Sequence, residues 1–293
     1  RQGINPMNEV YLHYTQAELD AQYDQTTLVP DLTAYQARWS ERTKRAKDVF
    51  GCLEHVAYGD HKDEWLDIYR PVEKGVAPIL VFFHGGAWRA QQIGTTGTAV
   101  EAYAGAGAVF VAVNFSVAPD ADLDVMVDQS RRAAAFAARQ AEKWGGDPDR
   151  LYVIGHSSGA HQAANVAVTD WSEFDLPRDL VKGLAVTSGP YDLEPVLLSK
   201  RNTYLHLDAG GVARNSPAKH LRADLPPSIV AWGGKELDEF KRQGAAFADA
   251  WEAACGSVTR LFFADNNHFD QYDELATPDG HFALCVRAMM GLA

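Results

Sequence analysis

The chain changes rhythm near Cys52. Beyond it, short apolar runs alternate with helix-period segments, and turn residues punctuate the boundaries. Leu53 to Tyr58 and Trp65 to Tyr69 alternate like an antiparallel pair, joined by Gly59-Asp60-His61-Lys62-Asp63. Ile79 to Phe83 is a continuous apolar run, which predicts a strand buried on both faces. Val109 to Asn114 and Leu151 to Ile154 are further buried strands, followed by Leu184 to Thr187, Ser228 to Trp232 and Val258 to Phe263. Between them the period is helical: Ala99 to Ala106, Leu123 to Trp144 with Asp122 as its cap, Ala160 to Val168, Phe240 to Ala254 and Phe282 to Met290. Gly145-Gly146-Asp147-Pro148 stops the long helix. Such alternation predicts an α/β fold, with a mostly parallel central sheet and helices on both faces.

Two segments depart from this rhythm. Residues 1–48 are polar and helix-compatible over Glu18 to Gln25 and Leu32 to Lys47, with Pro30-Asp31 as a helix start. Tyr11, Tyr14, Tyr23, Tyr35 and Trp39 are spaced so that they can dock, so this reads as an N-terminal helical arm packed on a main domain of residues 49–293. Residues 189–226 hold Pro190, Gly210, Gly211, Pro217 and Pro226, with Pro227 directly after. They are expected to make a small irregular cap segment over the C-terminal edge of the sheet, where such folds place their sites. With no other cap candidate, the pocket is expected to be small and fairly open.

Composition narrows the class of function. Of 293 residues, 46% are hydrophobic and 23% charged, enough for one large core. A net charge of −12 disfavours nucleic acid and anionic membranes as partners. No apolar run is long enough to span a bilayer, and Arg1 to Pro6 lacks the apolar core of a signal peptide. Cys52, Cys255 and Cys285 are odd in number and widely spaced, which fits reduced thiols in a cytoplasmic protein. No Cys/His cluster has zinc spacing, so neither metal nor cofactor is expected; a homodimer is compatible with the sequence.

The chemistry concentrates in Gly155-His156-Ser157-Ser158-Gly159, between the Leu151 strand and the Ala160 helix. In a strand–turn–helix setting, G-x-S-x-G exposes Ser157 Oγ above the sheet as a nucleophile. Upstream, His84-Gly85-Gly86-Ala87-Trp88 follows the Ile79 strand. Its glycines let backbone N–H groups face an acyl oxygen, and those of Gly85, Gly86 and Ser158 are the candidate oxyanion hole. His84, Trp88 and His156 are the candidate substrate-pocket residues; Trp88 either stacks on an aryl leaving group or packs in the core.

A base is needed on a loop after the last strand, and His268 in Ala264-Asp-Asn-Asn-His-Phe-Asp270 fits. His281 is its rival but starts the last helix. The orienting acid belongs between Ser157 and His268. Gly233-Gly-Lys-Glu236-Leu-Asp238-Glu239 offers Glu236, with Asp238 as the alternative. Asp238 and Glu239 suit the first turn of the Phe240 helix, which favours Glu236 as the acid. Asp192 reads as a turn or cap residue.

With these residues, the chain from about position 50 resembles the α/β-hydrolase superfamily. His84-Gly85-Gly86-Ala87-Trp88 is similar to the HGGxW signature of kynurenine formamidases (arylformamidases) and related small esterases. Gly155 to Gly159, Phe240, Arg242-Gln243 and His268-Phe269-Asp270 carry the same resemblance, while Tyr23 and Tyr35-Gln-Ala-Arg-Trp39 in the arm are only vaguely similar. The resemblance implies hydrolysis of a small amide, such as N-formylkynurenine, or of a small carboxylic ester. Glu236 stands where that family usually has Asp.

Overall fold

The computed structural model describes residues 8–73 and 75–292; the leader reading at Arg1 to Pro6 lies outside them. The elements run in chain order β1 (Glu9–Tyr11), β2 (Tyr14–Thr15), α1 (Gln16–Ala21), α2 (Thr33–Phe50), β3 (Leu53–Ala57), β4 (Trp65–Tyr69), β5 (Ala77–Phe83), α3 (Val100–Ala104), β6 (Val109–Val113), α4 (Leu123–Gln140), β7 (Gly146–His156) and α5 (Ser158–Ala167). Then follow β8 (Val181–Thr187), α6 (Glu194–Leu198), α7 (Asn202–Leu205), α8 (Ala209–Asn215), β9 (Ser228–Gly233), α9 (Asp238–Cys255), β10 (Val258–Phe263), α10 (His268–Ala276) and α11 (His281–Met289).

Eight strands form one sheet in the order β10-β9-β8-β7-β5-β6-β4-β3. The β3–β4 and β4–β6 pairs are antiparallel and the rest are parallel. This is the expected α/β architecture. The continuous apolar runs explain why the middle strands are buried on both faces. In β5, Ile79, Val81 and Phe83 enter one core, and Leu80 and Phe82 enter the other. Helices α4, α5 and α9 cover the first face; α2, α3, α10 and α11 cover the second.

The chain steps from β5 to β6 on one side, then returns to β7 on the other. Adjacent parallel strands whose connections leave in opposite directions open a crevice at their C-terminal ends. The loops carrying Gly85-Gly86 and Ser157 both leave the sheet there.

Several elements differ from expectation. The predicted helix over Ala99 to Ala106 is a 3-10 turn, Thr96–Ala99, followed by the short α3. Residues 189–226 are not irregular throughout but hold α6, α7 and α8, the last capped by Asp208, whose side chain accepts from Gly211 N. The Glu18 to Gln25 helix starts earlier, at Gln16, under a Thr15–Glu18 capping box, and ends at Ala21 before a 3-10 turn at Gln25–Leu28.

The N-terminal segment holds a small β1–β2 hairpin as well as helices, and its course matters most for the site. Tyr14, Leu19 and Tyr23 join the core on one face of the sheet, while Trp39 and Ala46 join the other. The segment between them therefore crosses the C-terminal edge of the sheet. At one end Arg201 Nη2 donates to Tyr23 O (3.1 Å) and Lys200 N donates to Asp20 Oδ1 (2.6 Å). At the other, Asp273 on α10 accepts from Trp39 Nε1 (2.9 Å) and pairs with Arg38 and Arg42. Losing a charged acceptor shared by three donors costs roughly 1–3 kcal/mol. Asp273→Ala should therefore speed amide hydrogen exchange across Thr33–Phe50 and leave the central strands protected; unchanged exchange in α2 would contradict this anchoring.

Candidate active site

The turn between β7 and α5 is built by close backbone approach. A Cβ on Gly155 would lie 2.2 Å from Gly159 O, and one on Gly159 would lie 2.0 Å from Phe83 O. Both glycines are obligatory for strand, helix and β5 to meet at these distances. Ser157 between them adopts φ 56° and ψ −129°, a left-handed conformation that costs a non-glycine residue on the order of 1–3 kcal/mol. Its N–H is held by Thr187 O at 3.0 Å. Because Ser157 precedes the first turn of α5, its hydroxyl stands at the helix N-terminus, near free N–H groups.

The three residues singled out for nucleophile, base and acid meet here. Ser157 Oγ lies 2.9 Å from His268 Nε2, and His268 Nδ1 lies 2.8 Å from Glu236 Oε1. All three are buried. With Nδ1–H donating to the carboxylate, Nε2 keeps its lone pair for the serine hydroxyl. The other Glu236 oxygen accepts from Ser188 Oγ (2.9 Å) and Gly233 N (2.8 Å). Asp238 is not part of this group: it is exposed at the start of α9 and pairs with Lys241 at 2.7 Å. His281 begins α11 beside Cys285, and Asp192 caps a turn by accepting from Glu194 N.

His268 does not sit on a plain loop. It is the first residue of α10, which Asn267 and Asp270 close with a reciprocal capping box. Its ring packs edge-on against Phe240 (5.1 Å between centroids), and its carbonyl accepts from His156 Nε2 at 2.8 Å. His156 stacks on Tyr272, so it steadies the backbone of His268 from below.

Gly85 and Gly86 face the serine. A Cβ on Gly85 would fall 3.1 Å from Ser157 Cβ, and Gly86 takes φ 119°, with its carbonyl receiving Arg89 N and Ala90 N. The N–H groups of Gly85, Gly86 and Ser158 make no hydrogen bond among the described residues, which leaves three donors free at one place. Trp88 does not line the pocket, contrary to one reading above. It is buried with Nε1 donating to His161 Nδ1 (3.2 Å), N donating to Ser158 Oγ (3.3 Å) and O accepting from Ala118 N (2.7 Å). These contacts pin it into the core, so it supports the turn rather than meeting a substrate.

A pocket of about 340 Å³ opens over Ser157. His84, Gly85, Gly86, His156 and His268 form its floor. Its wall is the surprise. Tyr23, Asp24, Gln25, Thr26, Leu32 and Trp39 come from the N-terminal segment, with Arg201 from residues 189–226. The expectation that residues 189–226 alone cap the pocket is corrected: the crossing segment supplies more of its wall.

A family profile described as BD-FAE matches residues 66–238, more than half of the chain. The chain belongs to the BD-FAE family. Kynurenine formamidase of Danio rerio is 33% identical over 286 residues, covering 94% of this chain and 96% of the relative. Kynurenine formamidase of Salmo salar is 32% identical over 258 residues, covering 86% of each. The crystal structure of EstE1, a thermophilic carboxylesterase from a metagenomic library, superposes with a TM-score of 0.72 at 19% identity, covering 92% of this chain and 98% of that one. The fold is an α/β-hydrolase fold. Among the described residues no helix is long and apolar enough to cross a membrane.

In this BD-FAE chain several residues of the site had no sequence signal. Ser188 follows β8 and precedes Gly189-Pro190, with no motif to mark it, yet it holds Glu236 at φ 57°. Arg201 lies in the polar run Ser199-Lys-Arg-Asn202. Tyr23 was marked as a docking aromatic and by the faint resemblance of the arm, but neither placed it in the pocket.

Three histidines under the site are neutral. Burial pushes His84 and His161 down to about 4 and His156 well below 6.5. Their folded pKa values thus lie beneath the unfolded value. As pH falls through 6.5 the unfolded chain takes up protons that the folded chain refuses, so stability is lost on acidification; for His84 and His161 the loss ends near pH 4. Each such ring is worth about 1.4 kcal/mol per pH unit within its window. Urea denaturation should show a fall of roughly 4 kcal/mol between pH 7.5 and 5.5, and the fall should shrink in His161→Gln. A flat profile would mean that these rings are charged in the folded protein.

Proposed function

We propose that this protein hydrolyses N-formyl arylamines, with Ser157 as nucleophile, His268 as base and acid, and Glu236 as the orienting carboxylate. The observation that carries the reading is the continuous line Ser157 Oγ–His268 Nε2, His268 Nδ1–Glu236 Oε1, with bonds of 2.9 and 2.8 Å, at the floor of an aromatic-walled pocket. The kynurenine formamidase relatives named above support the substrate class. Tyr23, Trp39, Phe269 and Tyr272 around about 340 Å³ suit an arylamine.

The geometry supports each step of this reading. Ser157 Oγ attacks the formyl carbon as its proton passes to His268 Nε2. The carbonyl oxygen, now an oxyanion, takes the free N–H groups of Gly85, Gly86 and Ser158; one such donor is worth about 3 kcal/mol of barrier. Glu236, itself held by Ser188 and Gly233, stabilises the imidazolium and prevents its rotation. His268 gives its proton to the departing amine, leaving a formyl ester on Ser157. Water, deprotonated by the same nitrogen, releases formate and restores the serine. A reducing compartment, the cytoplasm, suits Cys52, Cys255 and Cys285, which are unpaired.

Short-chain carboxylic esters would follow the same path, and kcat/KM measured on N-formylkynurenine and on p-nitrophenyl acetate separates the two readings. The formamide should be preferred at least tenfold; negligible deformylation beside fast ester cleavage would make this a carboxylesterase. Ser157→Ala should abolish both activities. Glu236→Gln should lower kcat by about 10⁴-fold, whereas Asp238→Asn should leave it within about twofold, since an exposed residue bonded elsewhere perturbs little. The reverse ranking would reassign the acid.

A further inference from the structure

Buried polar atoms without a hydrogen-bond partner gather in the pocket over Ser157. They are Tyr23 Oη, both amide atoms of Gln25, His84 Nε2 and Arg201 Nη1, and all four side chains line the cavity. Buried polar groups are ordinarily satisfied, so a cluster of orphans in one cavity marks a place where polar groups of a ligand would find partners.

Arg201 indicates the charge of that ligand. The residue is only 5% exposed. Its guanidinium lies 5.1 Å from the Tyr23 ring centroid and 5.9 Å from that of Trp88, and Nη2 donates to Tyr23 O. These contacts fix its orientation without neutralising it. No carboxylate among the described residues pairs with it. Asp24, in the same pocket wall, is engaged by Thr26 Oγ1 (2.6 Å) and Lys200 Nζ (3.3 Å). A guanidinium does not discharge by losing its proton, so a buried and unpaired one remains a standing cost until an anion reaches it. The protein as a whole, at a net charge of −12, does not attract anions; only a local cation can. Burial keeps the neighbouring Tyr23 hydroxyl protonated, hence a hydrogen-bond donor.

We propose that Arg201, with Tyr23 Oη as a second donor, receives a carboxylate on the part of the substrate remote from the acyl carbon. The planar fork of a guanidinium matches a carboxylate, and Tyr23, Trp39, Phe269 and Tyr272, which line the same pocket as Arg201 and Ser157, accommodate a ring. The preferred substrates are then N-formyl arylamines that bear a carboxylate. The N-formyl part rests on the function proposed above; the carboxylate part does not.

Competitive inhibition tests the two separately, with p-nitrophenyl acetate as reporter. The wild-type protein should bind 4-aminobenzoate, whose carboxylate lies across the ring from its amine, roughly 10- to 100-fold more tightly than neutral 4-aminobenzamide, the range expected for a charged hydrogen bond. Arg201→Gln should erase that ratio and Arg201→Lys should restore part of it. A purely structural Arg201 would weaken both inhibitors alike. Equal inhibition of the wild type by the two compounds, or a ratio that survives in Arg201→Gln, overturns the proposal. If Arg201→Gln does not fold, the wild-type ratio alone decides. A wild type that spares formamides but discriminates the inhibitors keeps the carboxylate site and removes only the formamide.

Discussion

The site depends on one backbone contact. Gly155, Gly159 and the carbonyl of Phe83 approach so closely that no side chain fits between them. That contact lets β7 turn into α5 within two residues and holds Ser157 in a conformation it would not choose alone. The strain is tolerated because the surroundings leave no alternative: β5 and β7 pair from Ile79 to Phe83, and α5 is buried along its whole length. Everything else at the site is placed relative to this fixed point. The Gly85-Gly86 loop leaves the adjacent strand, and Ser188 and Glu236 leave the next two strands in the sheet. His268 closes the line from beyond the edge strand.

What the sequence made legible is what local chemistry writes down. Apolar runs over Ile79 to Phe83 and Leu151 to Ile154 read as doubly buried strands because a strand between two helical layers has no polar face. Ser157 and Gly85-Gly86 stood out because glycine marks positions where a side chain would collide. Glu236 was separable from Asp238 because a helix start has its own preference for carboxylates, and the structure places Asp238 in that first turn. His268 was found by its place after the last strand, but its helix was missed; the short α10 offers nine residues with a weak apolar period, and its best signal was the Asn267–Asp270 capping pair.

The rest was hidden because it is made of distant contacts. Trp88 looked available to a ligand from its place beside the glycines, and only its bonds to His161, Ser158 and Ala118 show it turned into the core. Tyr23 meets Phe240, and Tyr35 donates to Asp270 at 2.7 Å, across more than two hundred positions of chain. No period or motif in a polar, tyrosine-bearing stretch announces which surface it will cover. The same holds for Ser188 and Arg201, whose importance comes from what stands opposite them.

The crossing segment divides the molecule in an unexpected way. The residues that would break a bond lie between Phe83 and His268, on the sheet and its loops, whereas much of the wall that a substrate touches belongs to positions 23–39. Much of the selection is thus written in a length of chain that carries none of the chemistry. An ancestral hydrolase framework could keep its machinery untouched while its leading segment varied, and each variant strap would admit a different guest to the same serine. Such variation would be confined to positions that face the pocket, because Tyr14, Leu19 and Ala46 of the same segment are built into the two cores. It also means that comparing relatives by their catalytic motifs alone would group proteins that accept different molecules.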